Sequence, residues 1–320
     1  MRRPFSPHLG MVLTTLIWGA NYTVVKLAIR EIPPFPFTAI RFAAGSLVLG
    51  AVLALGGRLR RPPPGLLLRL IVLGVTGNTC YQLCFISGLA RTSATNSALI
   101  LGSLPAMVAV SAGVLGLEHH SSRQRWGILF ATLGVIAVVL GRRGPVGGAS
   151  HLGDGLMLAA TGCWTAYSLG MRRLSGRMPP LELTAWTLFT GTPGLVLAAL
   201  PGFVGMQWGA VSTAAWGGVA YSAVLSLTVA YVLWSVGIRA LGAGRTAIYS
   251  CGVPLVAATI AMLFLGERPN LAHALGAALI VGGVLLTTLP ETVVGPTTSV
   301  REPAGRPAPP AEPSPGADAG

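Results

Sequence analysis

Apolar residues run through this chain in ten blocks, separated by short breaks rich in proline, glycine and arginine. The blocks cover residues 9–29, 36–56, 66–88, 95–117, 124–141, 153–171, 181–200, 213–238, 244–265 and 271–289. A helix crosses the hydrocarbon layer with about 20 residues, range 17–25, so each block predicts one spanning helix. The breaks carry strong terminators: IPPFP at 32–36, GGRLRRPPPG at 56–65 and SGRMPP at 175–180. Lipid offers no partner to backbone polar groups, so a spanning chain must be helical or a closed barrel. The two-residue alternation of a barrel strand is absent. The pattern predicts an all-α polytopic membrane protein. It divides into a tail (1–8), a first five-helix unit (9–141), a connecting loop (142–152), a second five-helix unit (153–289) and a Pro/Ala-rich tail (290–320). That last tail holds eight prolines and is expected to be disordered.

The two units are copies. Residues 92–140 align without a gap on 241–289 at a shift of 149. Ten positions are identical, among them Pro105 with Pro254, Glu118 with Glu267, Gly127 with Gly276 and Gly134 with Gly283. Only four glutamates lie between residues 9 and 289, yet two of them align 13 residues beyond an aligned proline. This is the mark of an internal duplication. Five helices per copy is an odd number, so the copies insert in opposite directions: ten transmembrane helices in two inverted five-helix repeats. The Glu118 loop then faces inward and the Glu267 loop outward.

Composition agrees with a membrane protein. The chain is 52% hydrophobic and 10% charged, with mean hydropathy +0.68, where a soluble domain carries about 25% charged residues. The net charge of +13 is no nucleic-acid signal, because the basic residues are spread through short loops rather than gathered on one solvated face. With the N-terminus inside, fifteen arginines fall in inside segments and five in outside ones. This bias puts both termini in the cytoplasm of a cell-membrane protein. The first block is long enough to span and lacks a small-residue cleavage site, so it reads as a helix rather than a signal peptide. Cys80, Cys84, Cys163 and Cys251 all sit in apolar runs and read as small core residues, with no disulfide or metal spacing.

Candidate chemistry is sparse. Lys26 and Arg41 are cations within spans one and two. They either snorkel to the interface or line a cavity that attracts a carboxylate. Polar neighbours for such a cavity are Asn21, Tyr22, Asn78, Tyr81, Gln82 and Asn96, with aromatic walls from Trp18, Trp164, Tyr167, Tyr221, Tyr231 and Trp234. Pro105 and Pro254 interrupt spans four and nine, as tolerated kinks or as paired hinges at a cavity. Gly127, Gly134, Gly276 and Gly283 recur every seventh residue and suit close helix packing. Glu118 and Glu267 sit at helix ends, as solvated charges supporting the next helix or as gating groups. No Asp or Glu lies deep in a span, so the carrier of a coupling proton is not evident, and His273 is a weak substitute. HExxH, GxSxG and Walker motifs are all absent. Nothing calls for an enzyme, a cofactor or a metal.

The chain resembles the EamA-type branch of the drug/metabolite transporter superfamily over about residues 9–289. The carriers are WGANYTVVK (18–26), Arg41-Phe42, the Pro105/Glu118/Gly127 pattern, and its second copy at Pro254, GERPN (266–270) and Gly276. Trp18, Asn21, Lys26 and Arg41 match the family's first two helices by position. GLEHH in the first copy departs from the usual Gly-Glu-Arg, which makes Glu118 less secure than Glu267. The resemblance implies two inverted five-helix units around a central cavity, and transport, often efflux, of amino acids, other small metabolites or drugs. The expectation is therefore a secondary transporter of small carboxylate-bearing metabolites, working as an exporter. Its expected partners are a small-molecule substrate, the lipid bilayer and a coupling proton or exchanged substrate; the oligomeric state is open. Multidrug efflux is the alternative, with a membrane-embedded enzyme or sensor well behind.

Overall fold

The computed structural model describes residues 6–115, 122–140 and 151–288, which leaves Glu118, most of the 142–152 loop and the 290–320 tail outside. Every regular element among the described residues is helical. In chain order they are α1 (Pro7–Ala28), α2 (Pro34–Leu55), α3 (Leu67–Arg91), α4 (Ala94–Gly102), α5 (Leu104–Val114), α6 (Ser122–Leu140), α7 (His151–Leu174), α8 (Pro180–Phe203), α9 (Thr213–Leu241), α10 (Ala243–Ile248), α11 (Val253–Leu265) and α12 (Leu271–Thr288). Proline opens α1, α2 and α8, where its missing N–H and fixed φ suit the first turn. Ser93 and Ser212 cap α4 and α9 by accepting from the amides of Asn96 and Ala215.

Among the described residues, seven helical stretches are long and apolar enough to cross a membrane, and two shorter apolar ones lie at Arg125–Val138 and Leu271–Leu286. Helix α7 has 24 residues but is more polar, with Asp154, Thr161, Thr165 and Ser168 all buried against neighbours. Polarity runs inward throughout. Arg41, Asn78, Gln82, Asn96 and Thr184 are buried, whereas Leu47, Leu55, Leu197 and Leu263 point outward. That arrangement suits a lipid surround. The cysteines depart from the sequence reading: all four are free, Cys80 is exposed and the other three are only partly covered. An apolar surround lets a small apolar side chain face outward without cost.

Two features of the helices recur at the repeat shift. First, α3 and α9 each contain a π-helical stretch, at Val75–Cys80 and Ser222–Val229, and residues 75–80 map onto 224–229. The hydrophobic pattern gives no hint of either. Second, the α4/α5 and α10/α11 pairs are broken helices. The first breaks at Ser103 and the second through a 3-10 turn, Tyr249–Gly252. Pro105 and Pro254 are each the second residue of the segment after the break, where the absent N–H leaves no carbonyl stranded.

Helices α6 and α12 pack together through the recurring glycines. A methyl built on Gly283 would lie 2.4 Å from the Gly127 carbonyl oxygen, and one built on Gly134 would lie 2.8 Å from that of Gly276. So the earlier glycine of each helix meets the later glycine of the other, and the two helices run antiparallel. Such backbone proximity requires glycine.

At one end of the bundle the α1–α2 loop is tied to α9. The Glu31 carboxylate accepts from the Ser212 amide at 2.7 Å and from its hydroxyl at 2.8 Å. These two bonds, the amide first, hold the Glu31 carboxyl below its usual range. A lowered carboxyl contributes stability above its unfolded pKa and loses it as pH falls through its folded one. Glu31→Gln is therefore expected to unfold with a flatter acid limb than the wild type between about pH 5 and pH 3, measured by thermal melts in detergent. Parallel melting curves would remove this role.

Candidate functional site

A narrow cavity lies among these helices. From α1 come Trp18, Asn21 and Tyr22, whose i, i+3, i+4 spacing places them on one face. Helix α2 gives Arg41. Helix α3 gives Tyr81, Gln82 and Phe85, immediately after its π stretch. The α4/α5 break gives Leu101, Gly102 and Leu104, α7 gives Trp164, α9 gives Ser226, Leu227 and Tyr231, and the second break gives Ser250 and Val253. Free space at its centre is about 40 Å³, little more than a water molecule occupies. A metabolite enters only if these walls part.

The lining repeats itself. Gln82 and Tyr231 are 149 residues apart and touch, the Gln82 amide donating to the Tyr231 hydroxyl at 3.3 Å. Leu101 with Ser250 and Leu104 with Val253 are separated by the same shift. Trp18 donates to the Ser226 carbonyl at 3.1 Å within the second π stretch, and a π turn leaves such carbonyls without their usual partner. At the equivalent positions, the Tyr167 ring lies against Gly77 in the first π stretch.

Arg41 is the unusual member. It is 1% exposed. One Nη donates to Gln82 Oε1 at 2.6 Å, and the guanidinium carbon stands 5.3 Å and 5.6 Å from the Phe37 and Phe42 rings. Its Nε finds no partner. Among the described residues the cavity lining contains no carboxylate. Of the other described carboxylates, Glu31 is engaged with Ser212, Asp154 with the Thr92 hydroxyl and Glu267 with α4, and Glu182 sits in the first turn of α8, off the lining. A buried charge with no counter-ion is costly. In the same lining, the Tyr22 hydroxyl also lacks a partner. The walls are a cluster of rings, with Trp18 centred 5.7 Å from Trp164, 6.0 Å from Tyr231 and 5.1 Å from Trp234. Chemically the arrangement offers two orphaned donors for an anion and aromatic faces for an apolar or cationic body.

Eight of the sequence candidates thus meet: Trp18, Asn21, Tyr22, Arg41, Tyr81, Gln82, Trp164 and Tyr231. Six lie off the lining: Tyr221 donates to the Ile17 carbonyl at 2.9 Å, Trp234 packs against Trp18 and Trp164, and the other four are held as follows. Lys26 donates from Nζ to the Leu89 carbonyl at 2.7 Å and to that of Thr92, holding the last turn of α3. Asn78 donates to the Thr187 carbonyl at 2.8 Å. Asn96 faces His273 Nε2 at 2.8 Å. Tyr167 stacks behind Trp164 and meets the Thr187 hydroxyl at 3.3 Å. Phe85, Ser226 and Ser250 were not candidates. The repeat shift was the available signal, since it carries Leu101 to Ser250 and the first break to the second.

Glu267 reaches across the duplication. Gly266 turns the chain at φ +66, a conformation that favours glycine. The Glu267 carboxylate then accepts from the amides of Ala94 and Thr95 at 2.8 and 3.0 Å and from the Thr95 hydroxyl at 2.6 Å. It caps α4, a helix of the other copy, where the sequence suggested support of the next helix. Its partner Glu118 lies outside the described residues. Glu267→Gln is expected to cost about 1 kcal/mol, the usual worth of a cap with a favourable dipole contact. Melting of the purified variant checks this, and an unchanged midpoint would deny the cap any weight.

Residues 6–140 and 151–289 both match the EamA-like transporter family. The chain belongs to that family. It is a transporter and a multi-pass membrane protein, and the names of its family and relatives indicate a transporter rather than an enzyme. It is similar to the uncharacterized transporter YyaM of Bacillus subtilis (strain 168), 27% identical over 87% of this chain and 93% of that one. It is also similar to the aromatic amino acid exporter YddG of Ancylobacter novellus, 27% identical over 86% and 95%. A crystal structure of 22% identity matches with a TM-score of 0.60 over 87% of this chain and 96% of the other, a likeness of fold.

Proposed function

We propose that this EamA-family transporter exports amino acids or closely related carboxylate-bearing metabolites. The observation that carries the proposal is Arg41: a buried guanidinium with an unpartnered Nε, facing a cavity that contains no acid. A substrate carboxylate supplies the missing counter-ion, with the Tyr22 hydroxyl as a second donor, and the Trp18, Trp164 and Tyr231 rings pack on the rest of the molecule. A cationic drug meets a repelling charge there, which sets multidrug efflux behind. The name of the Ancylobacter relative, an amino acid exporter, points the same way.

The transporter works as ten spanning helices in two inverted five-helix units, with both termini in the cytoplasm. Support comes from the antiparallel, reciprocal glycine contacts of α6 with α12, from the touching pair Gln82 and Tyr231 149 residues apart, and from the two family matches in tandem. A two-fold axis in the membrane plane, passing between Gln82 and Tyr231, generates all three. The broken helices at Pro105 and Pro254 line the cavity and serve as hinges when one unit rocks against the other. Export runs down the substrate gradient, by exchange with a second substrate or with a coupling proton.

The test is flux out of proteoliposomes loaded with L-phenylalanine, L-leucine, L-alanine, a nucleoside, a sugar and a cationic dye in turn. Flux of amino acids above protein-free liposomes is expected. Flux of the dye alone would reverse the reading.

A further inference from the structure

At the surface of the bundle a second hollow, about 490 Å³, lies along the last turns of α1 and the first turns of α9. Its walls are Val24, Leu27 and Tyr221, and its floor is small: Ala214, Gly217 and Gly218. The hollow lies within the apolar part of both helices and extends roughly 10 Å along them, from Tyr221 to Ala214 at 1.5 Å per residue. A methyl built on Gly217 meets nothing within 4 Å, whereas one built on Gly218 would lie 3.1 Å from Ala28 Cβ, so the floor is open over Gly217 and closes against α1 at Gly218. Neither the duplication nor the central cavity accounts for it.

The upper rim is charged, and only one sign is spent. Glu31 lines the hollow but gives both carboxylate oxygens to Ser212. Arg30, beside it, is exposed, and its guanidinium makes no hydrogen bond or ion pair among the described residues. The N-terminus of α9, with its partial positive charge, opens at the same end. An unspent guanidinium at the end of a spanning helix, above an apolar trough, matches a lipid in both halves: a phosphate at the interface and an acyl chain below it. An apolar peptide or a detergent-like metabolite would leave Arg30 unanswered.

We propose that this hollow is a binding site for an anionic glycerophospholipid. Arg30 holds the headgroup phosphate, and one acyl chain lies over Gly217 between α1 and α9. Its occupant bridges the α1–α2 loop end and α9, which belong to different copies of the duplication. The site therefore makes the lipid a brace between the two units.

The experiment is native mass spectrometry of the full chain in detergent, titrated with phosphatidylglycerol and, separately, phosphatidylcholine. Wild type is expected to retain one phosphatidylglycerol at least tenfold more tightly than phosphatidylcholine. Arg30→Gln, on an exposed position, is expected to lose that preference while still taking up either lipid weakly. Gly217→Phe fills the trough and is expected to lose the bound lipid altogether, with unchanged elution by size exclusion as the control for folding. Equal retention of the two lipids by wild type, or an unaltered preference in Arg30→Gln, overturns the proposal. Transport by the central cavity is untouched by either result, so failure here is distinct from failure of the amino-acid reading.

Discussion

Replacing Arg41 by Gln is expected to weaken carboxylate binding by ten- to a hundredfold and, at the same time, to make the empty protein more resistant to heat. The two effects share one cause. In the empty cavity the guanidinium is desolvated, holds one hydrogen bond to Gln82 and lacks an acid. Removing a buried unpaired charge relieves its desolvation, and a gain of about 1–2 kcal/mol is in the range of stability released when a functional group is deleted. With substrate present the balance reverses. A hydrogen bond to a charged group is worth about 1.5–3 kcal/mol, which corresponds to the ten- to hundredfold loss. Arg41→Lys keeps the charge but not the planar fork, so it is expected to fall between the two. Thermal melts with and without L-phenylalanine read both effects: a higher melting point without ligand, and a smaller ligand-induced rise. A lower melting point for Arg41→Gln would mean that the guanidinium serves packing, through Phe37, Phe42 and Gln82, rather than a ligand.

The largest loss of stability is expected at the α6–α12 crossing. Gly134→Leu places a side chain where a carbonyl oxygen and an amide of α12 already stand within 3 Å of its first carbon. Neither is a flexible side chain that can swing aside, so the helices must separate. Overpacking of this kind costs about 1–3 kcal/mol, and more when backbone must move. By the reciprocal contact, Gly283→Leu is expected to cost as much or more, since its first carbon would lie 2.5 Å from the Ala131 amide. Gly282, next to it, has nothing within 4 Å, and Gly282→Leu is expected to be near neutral. Detergent melts of the three variants provide the comparison. Equal effects at Gly282 and Gly283 would contradict the crossing.

Much of this was legible in the sequence because lipid simplifies the problem. With no water to satisfy the backbone, apolar length alone locates helices, and the helices start where Pro7, Pro34 and Pro180 stand. The duplication was legible because rare residues carry it. Two prolines, two glutamates and the recurring glycines survive in register amid interchangeable leucines and valines. The central site was legible in part, since Arg41, Asn21, Gln82 and the tryptophans are expensive to place in a membrane without purpose. Three things were hidden. Lys26 looks like Arg41 in the sequence, yet it binds the free carbonyls at the end of α3, because one turn of helix decides which way a long cation points. The π stretches leave no hydrophobic signature: one added residue per turn shifts hydrogen bonds without changing composition. Glu267 looks like a loop charge, and only the fold brings it to α4 of the other copy.

The account rests on a carboxylate meeting Arg41 during transport. The most direct measurement is counterflow in wild-type proteoliposomes preloaded with L-phenylalanine, followed by external labelled phenylalanine or labelled phenylalanine methyl ester. The two probes share ring and ammonium and differ at the carboxyl alone. Accumulation of phenylalanine with none of the ester, and loss of that accumulation in Arg41→Gln, is the predicted result. Accumulation of the ester equal to that of the acid would contradict it.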